Sequence, residues 1–187
     1  AGCIGYYNKG SYQRFAGINP WLSEPDLLLN QRITEFYVGF KGSLANHFTY
    51  SAKGAYSRQH NVNLFVNDPE DGKSFETVYS PKMEVLQFHG ELGYMRGEEF
   101  SFKSGITYNS FTKIEGQTRA WGLLPFEFNG SLRWKILKDL SLKADVFGWD
   151  GAAYRTKEGD ARKGEKGFDL NAGLEFKITK GLDLWFQ

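Results

Sequence analysis

From residue 126 onward, apolar and polar side chains alternate with a strict period of two. Phe126, Phe128, Leu132, Trp134 and Ile136 are separated by Glu127, Asn129, Ser131, Arg133 and Lys135. After a short break the beat resumes with Leu140, Leu142, Ala144 and Val146, separated by Ser141, Lys143 and Asp145. Successive side chains on a strand point to opposite faces, so this period predicts two β-strands, each with one apolar and one charged face.

The same pattern predicts strands over 32–44, 48–57, 84–94, 100–110, 126–136, 140–148, 168–178 and 182–186. A further strand with weaker alternation is expected within 4–15. Counted from Thr34 in the first run and from Leu86 in the third, the apolar phase of the eight clear runs holds no charged residue, although 24% of the chain is Asp, Glu, Lys or Arg. The charges sit on the other phase, so the register of each strand is strongly specified. Tight turns are expected at 45–47, 96–99, 137–139 and 179–181, and long polar links at 58–83, 111–125 and 149–167. Short and long connections in alternation predict an all-β, antiparallel up-and-down meander of about eight or nine strands, with all long loops at one end. No helical periodicity and no domain boundary interrupts residues 1–187, which read as a single barrel domain or barrel segment.

Two architectures fit such a meander. A soluble, lipocalin-like barrel puts its apolar face inside, whereas a membrane barrel turns that face to lipid and lines its lumen with charge. Three features favour the membrane. The clear runs are long, close to the 9–11 residues a membrane strand needs. Aromatic residues gather at both ends of the strands: Phe48, Tyr94, Phe100 and Trp134 near the short turns, Tyr56, Tyr108, Phe126 and Phe168 near the long links. That order is expected of two interfacial girdles. The loop asymmetry matches short periplasmic turns and longer outer loops. Phe36, Val38, Phe40, Phe128, Leu132, Trp134, Leu142, Val146, Leu170, Leu174 and Phe176 are then expected to face lipid. Glu35, Lys41, Lys53, Glu91, Lys103, Glu127, Arg133, Lys135, Lys143, Asp145, Asp169, Glu175 and Lys177 are expected to face the lumen, together with Tyr37 and His89. With both signs mixed there, a structural ladder of ion pairs is the first expectation for these charges.

Composition adds little against this picture. The formal net charge of +1 gives no reason to expect nucleic acid. A mean hydropathy of -0.48 and the lack of any apolar run of about 18 residues exclude a transmembrane helix but not a barrel. One cysteine, Cys3, rules out a disulfide within the chain. Ala1-Gly2-Cys3 resembles a lipoprotein cleavage box without the charged and apolar segments that precede one, so a small packed Cys is expected. His47, His60 and His89 lie in a turn, a loop and a strand, with no metal-ligand spacing. Asp68, Glu70, Asp71 and Gly72 faintly resemble a calcium loop but lack its regular alternation and closing Glu; a solvated turn is expected. No serine elbow, phosphate loop or Cys-His arrangement appears, and neither catalysis nor a cofactor is expected.

The strings GINPWL (17–22), YVGFKGSLANHFTYSAKGAYS (37–57), LFVND (64–68), RAWGLLPFEFNGSLRW (119–134), LKADVFGW (142–149) and FDLNAGLEFKITKGLDLWF (168–186) resemble the carboxy-terminal barrel of TonB-dependent receptor-like outer-membrane proteins of the Bacteroidetes type. The resemblance implies an outer-membrane barrel of a Gram-negative cell, serving uptake of a solute. An alternative within the same resemblance is a non-transporting barrel subunit that anchors a surface lipoprotein or envelope complex. Receptors of this kind also carry a plug domain and a segment that contacts TonB; neither is visible in these residues. Bacterial single-chain barrels have even strand numbers, and nine candidates therefore suggest part of a larger barrel.

Overall fold

The computed structural model describes residues 2–7, 30–45, 47–70, 74–179 and 182–186, with only the backbone described for 2–7 and 183. The string GINPWL, and the part of the weak 4–15 run beyond residue 7, lie outside them. Among the described residues there are eleven strands: β1 (Gly2–Tyr7), β2 (Gln31–Leu44), β3 (Phe48–Asn67), β4 (Phe75–Arg96), β5 (Phe100–Ile114), β6 (Phe126–Leu137), β7 (Leu140–Trp149), β8 (Ala153–Arg155), β9 (Ala161–Lys163), β10 (Gly167–Thr179) and β11 (Leu182–Phe186). Nine of them form one sheet in the order β1-β2-β3-β4-β5-β6-β7-β10-β11. Every pairing in it is antiparallel. This is the expected up-and-down meander, and its two ends, β1 and β11, do not pair with each other.

The alternation survives intact in the register. Across the sheet, Phe48 lies opposite Tyr94, Tyr94 opposite Phe102, Phe102 opposite Leu132, Leu132 opposite Ala144, and Ala144 opposite Ala172. All six have even numbers, so the even positions of these six strands share one face and the odd positions the other. The same row is staggered. It begins at Phe48, beside the first short turn, yet reaches Ala172 well inside β10. A row that climbs away from the turns at each hairpin means strands tilted against the axis of the wall, the geometry that closing a barrel requires.

The apolar even face is uncovered. Phe36 is 64% exposed, Val38 76%, Phe40 66% and Leu92 63%. The buried core lies elsewhere. Val62, Leu64, Val66, Met83, Val85, Ala120 and Trp121 form one cluster at the long-loop end. The link expected over 58–83 is therefore mostly not a loop. β3 and β4 run on to Asn67 and from Phe75 as a hairpin far longer than a bilayer needs, with Asn67 opposite Phe75. The reason is the sequence NVNLFVN followed by FETVYS, whose β-branched and aromatic residues pair well across strands. The link over 149–167 also holds structure, the small β8-β9 hairpin, and β5 runs on through the first residues of the 111–125 link to Ile114.

One residue reconciles the two halves of β3. Below residue 61, Met83 and Val85 lie opposite Gln59 and Ser57, on the odd face. Above it, the even residues Val62, Leu64 and Val66 pack with that same Met83 and Val85. Asn61 has φ 55, in the left-handed region that Asn tolerates better than most residues. This residue rolls the strand over, so the apolar phase that points outward below it points inward above it.

Candidate functional site

The odd face gathers most of the charge. Lys53 donates to Glu35 Oε1 at 2.7 Å, and its ammonium also sits 4.7 Å from the centre of the Tyr37 ring. Lys143 pairs with Glu175. Ser51 donates to Glu91 Oε2 at 3.0 Å, and His89 Nε2 lies 3.4 Å from Glu91 Oε1. Gln87 donates to Asn109 Oδ1 at 2.9 Å, and Asn109 in turn donates to the Leu124 carbonyl. Register explains each meeting. Lys53 lies opposite Gly39, so its side chain reaches diagonally along β2 to Glu35. Lys143 likewise lies opposite the bare Gly173 and reaches Glu175.

The remaining charges of this face do not join a continuous ladder. Lys41, Lys103, Lys135, Asp145 and Asp169 make no side-chain hydrogen bond or ion pair with the described residues. Arg133 lies directly opposite Lys143, two like charges side by side. Lys41, Ser51, Glu91, Lys103, Asn129 and Ser131 line a groove of about 730 Å³ on this face. Glu127 borders a second hollow, of about 510 Å³, beneath the cluster at the long-loop end, with Glu35, Gln87 and Asn109. Lys177 and Glu175 border a third, near the short turns, with Arg133 and Lys135. The arrangement is a polar wall with free cations and anions able to contact a charged or hydrated solute. Among the described residues no group of three or more His, Cys, Asp or Glu comes together as a metal site.

Above this wall a cap is built from two loops. Trp121 is buried, and its indole Nε1 donates to Gln117 Oε1 at 3.0 Å; Gln117 Nε2 donates to the Tyr79 carbonyl at 3.1 Å. The Gly122 amide donates to Ala153 O at 2.9 Å, tying the first loop to β8. Arg155 on β8 pairs with Glu76 on β4, and Asn67 on β3 donates to the Arg155 carbonyl at 3.3 Å. Asp150 accepts from Lys163 Nζ at 2.5 Å and from the Gly151 amide at 3.1 Å. The Lys163 hydrogen bond holds the Asp150 carboxyl below its usual range, against the opposing effect of partial burial. Asp68 accepts from the Glu70 amide at 2.8 Å and from Ser74 at 3.4 Å, so this carboxylate closes the β3-β4 turn. Asp71 and Gly72 of the weak calcium-like string lie outside the described residues.

The aromatic row near the short turns is a physical contact, not only a pattern. Phe48 and Tyr94 have ring centres 4.7 Å apart, and Tyr94 and Phe100 5.8 Å apart. The cap and its Trp121 anchor escaped sequence reading. Their only signal was WGLLP, an apolar string inside a segment otherwise rich in turn residues. Phe147 and Trp149 also lie on the odd face, their rings tilted by 31° with centres 5.7 Å apart, an aromatic interruption of a polar wall.

No family model and no curated protein matches the chain. Solved structures do. The copper transporter OprC aligns with a TM-score of 0.60 at 13% identity, covering 86% of this chain and 25% of its own. The siderophore receptor PirA from Acinetobacter baumannii aligns at 0.62 and 11% identity, covering 82% of this chain and 26% of its own. A mutant of the ferric enterobactin receptor PfeA from Pseudomonas aeruginosa aligns at 0.56 and 17% identity, covering 88% of this chain and 26% of its own. All three are TonB-dependent receptors. The fold is that of an outer-membrane receptor barrel wall. At these identities the likeness is one of fold, and the chain spans about a quarter of the length of each structure it matches.

Proposed function

We propose that the chain is a wall segment of an outer-membrane barrel of the TonB-dependent receptor type, in a Gram-negative cell, and that the complete protein takes up a solute. One observation carries this reading. A continuous staggered sheet leaves Phe36, Val38, Phe40, Phe88 and Leu92 uncovered on one face and gathers Glu35, Lys53, Glu91, Lys143 and Glu175 on the other. An uncovered apolar face of this size needs lipid. A lipocalin-like barrel would instead bury that face in its interior. In this reading the even positions Phe128, Leu132, Trp134, Leu142, Val146, Leu170, Leu174 and Phe176 face lipid, and the odd-face charges line the lumen.

The matched structures include a copper transporter and siderophore receptors. A metal or metal chelate is therefore the first solute class to test here. Energisation through TonB, and membership of the Bacteroidetes type, belong to the proposal and rest on family resemblance. So does the possibility of surface lipoprotein subunits as partners.

The test uses the full-length protein. Deleting its gene is expected to abolish uptake of a metal chelate, and collapsing the proton-motive force should do the same in the intact strain. Unchanged uptake, together with a stoichiometric envelope partner on purification, would instead identify a non-transporting anchor. Recovery of the protein in the aqueous phase without detergent would sink both membrane readings.

A further inference from the structure

The even face carries two features that solute uptake does not use, one above the other. The first is an apolar hollow of about 740 Å³, walled by Phe36, Val38, Tyr56, Leu86, Phe88 and Tyr108. Its floor is Gly54, which lies opposite Val38 on one side and Phe88 on the other. A Cβ added at Gly54 would meet nothing within 4 Å, so the missing side chain leaves real space. The second feature begins two residues beyond Tyr56 toward the long loops. There Arg58 and Lys113 flank Glu84, and in the next row Arg32, His60 and Lys82 lie side by side.

Glu84 organises these cations. Its side chain is only 8% exposed, with Lys82 at 3.2 Å, Arg58 at 3.6 Å and Lys113 at 3.7 Å. One carboxylate cannot neutralise three cations, and Arg32, exposed in the adjoining row, adds a fourth. Glu115 offsets one more, at 3.8 Å from Lys82. An excess of positive charge therefore remains on the outward face. The patch ends where Asn61 rolls the strand inward, so it occupies the last outward rows above the aromatic level. Arg58 is four residues from Gly54, roughly 13 Å along the strand.

A chain of methylenes in the hollow and an anionic group among the cations is the complement of this surface. We propose that the outward face binds one anionic, phosphate-bearing lipid of the outer leaflet, whose headgroup carries no cation of its own, an acyl chain lying over Gly54 and the phosphate held by Arg32, Arg58 and Lys113. This rests on the membrane reading above.

The full-length protein, purified in detergent, is titrated with phosphatidic acid or phosphatidylcholine and followed by native mass spectrometry. Phosphatidic acid is expected to be retained about tenfold more strongly. Gly54→Leu, which fills open space, should lower that retention about tenfold while the heat-modifiable gel band persists. Arg32→Gln with Lys113→Gln leaves Glu84 its Arg58 and Lys82 partners, and should remove the preference between the two lipids. Equal retention of both lipids by the unmodified protein overturns the proposal, as does full retention by Gly54→Leu. Displacement by equimolar inorganic phosphate would mean that free phosphate is the ligand, and overturns it too. Absence of a heat-modifiable band in the unmodified protein would instead strike at the membrane reading itself.

Discussion

Leu132 and Arg133 are adjacent in the chain and lie on opposite faces of the sheet. Leu132 lies opposite Phe102 and Ala144 on the even face, while Arg133 lies opposite Lys143 on the odd face. Leu132→Arg is expected to cost about 2–4 kcal/mol if its level is near the bilayer midplane. Arg133→Glu should change stability by less than about 1 kcal/mol, because it places opposite charges across from one another where like charges now stand. Unfolding titrations in lipid vesicles compare the two, and equal effects would contradict the facing. Asn61 is the other single residue with a large consequence. A β-branched side chain at its positive φ is strained, so Asn61→Val should destabilise the outer hairpin by about 1–2 kcal/mol, whereas Asn61→Gly should be nearly neutral. Hydrogen exchange of residues 62–66 reads this directly.

At the scale of elements, the long β3-β4 hairpin and the two loops fold as one unit above the wall. Trp121 closes it, and its burial joins β3, β4 and the 115–125 loop. Trp121→Ala is expected to cost about 3–5 kcal/mol locally. Limited proteolysis should then cut within 115–125 and 150–163 while the heat-modifiable barrel band survives. The same cap responds to acid. Because the Asp150 carboxyl is held below its usual range by Lys163, the folded loop binds fewer protons than the unfolded one. Its contribution is present above the ordinary Asp range and fades as pH falls through the depressed value. Exchange protection of 150–163 should therefore drop on acidification. In Asp150→Asn it should be lower at neutral pH and nearly flat with pH, and coincidence of the two curves at every pH would contradict the pairing.

For the whole molecule, the decisive fact is that among the described residues the sheet ends in two edges, β1 and β11, that do not pair with each other. Open edges are untenable in hydrocarbon, where each unpaired backbone group costs several kcal/mol. Residues 1–187 expressed alone are accordingly expected to yield no heat-modifiable monomer, whereas the full-length protein should. A stable monomeric barrel from this chain by itself would show that β1 and β11 can close on each other. The stagger of the register sets the tilt of the wall, and with it which odd-face charges share a level: Lys41 with Glu91, Lys103 with Asp145.

Much of this was legible in the chain. Alternation is a local property, set by a side-chain period of two, and it determined the strand positions, the unlike faces and the order of the meander without any knowledge of contacts. The odd-face placement of Glu35, Lys41, Lys53, Glu91, Lys103, Glu127, Arg133, Lys143, Glu175 and Lys177 follows from the same parity. What parity cannot see is long-range. Lys53 finds Glu35 and Lys143 finds Glu175 only because glycines opposite them clear a diagonal path, a matter of register between strands. Residues 58–83 looked like a polar loop because their strand pairing serves a core beyond the uncovered apolar band. That core, with Trp121, Leu64 and Met83 from three separate segments, exists only once the hairpin rises above the wall. Nor does the alternation change phase at Asn61; a single backbone torsion there sends the same even-numbered side chains from the outer surface to the inner one.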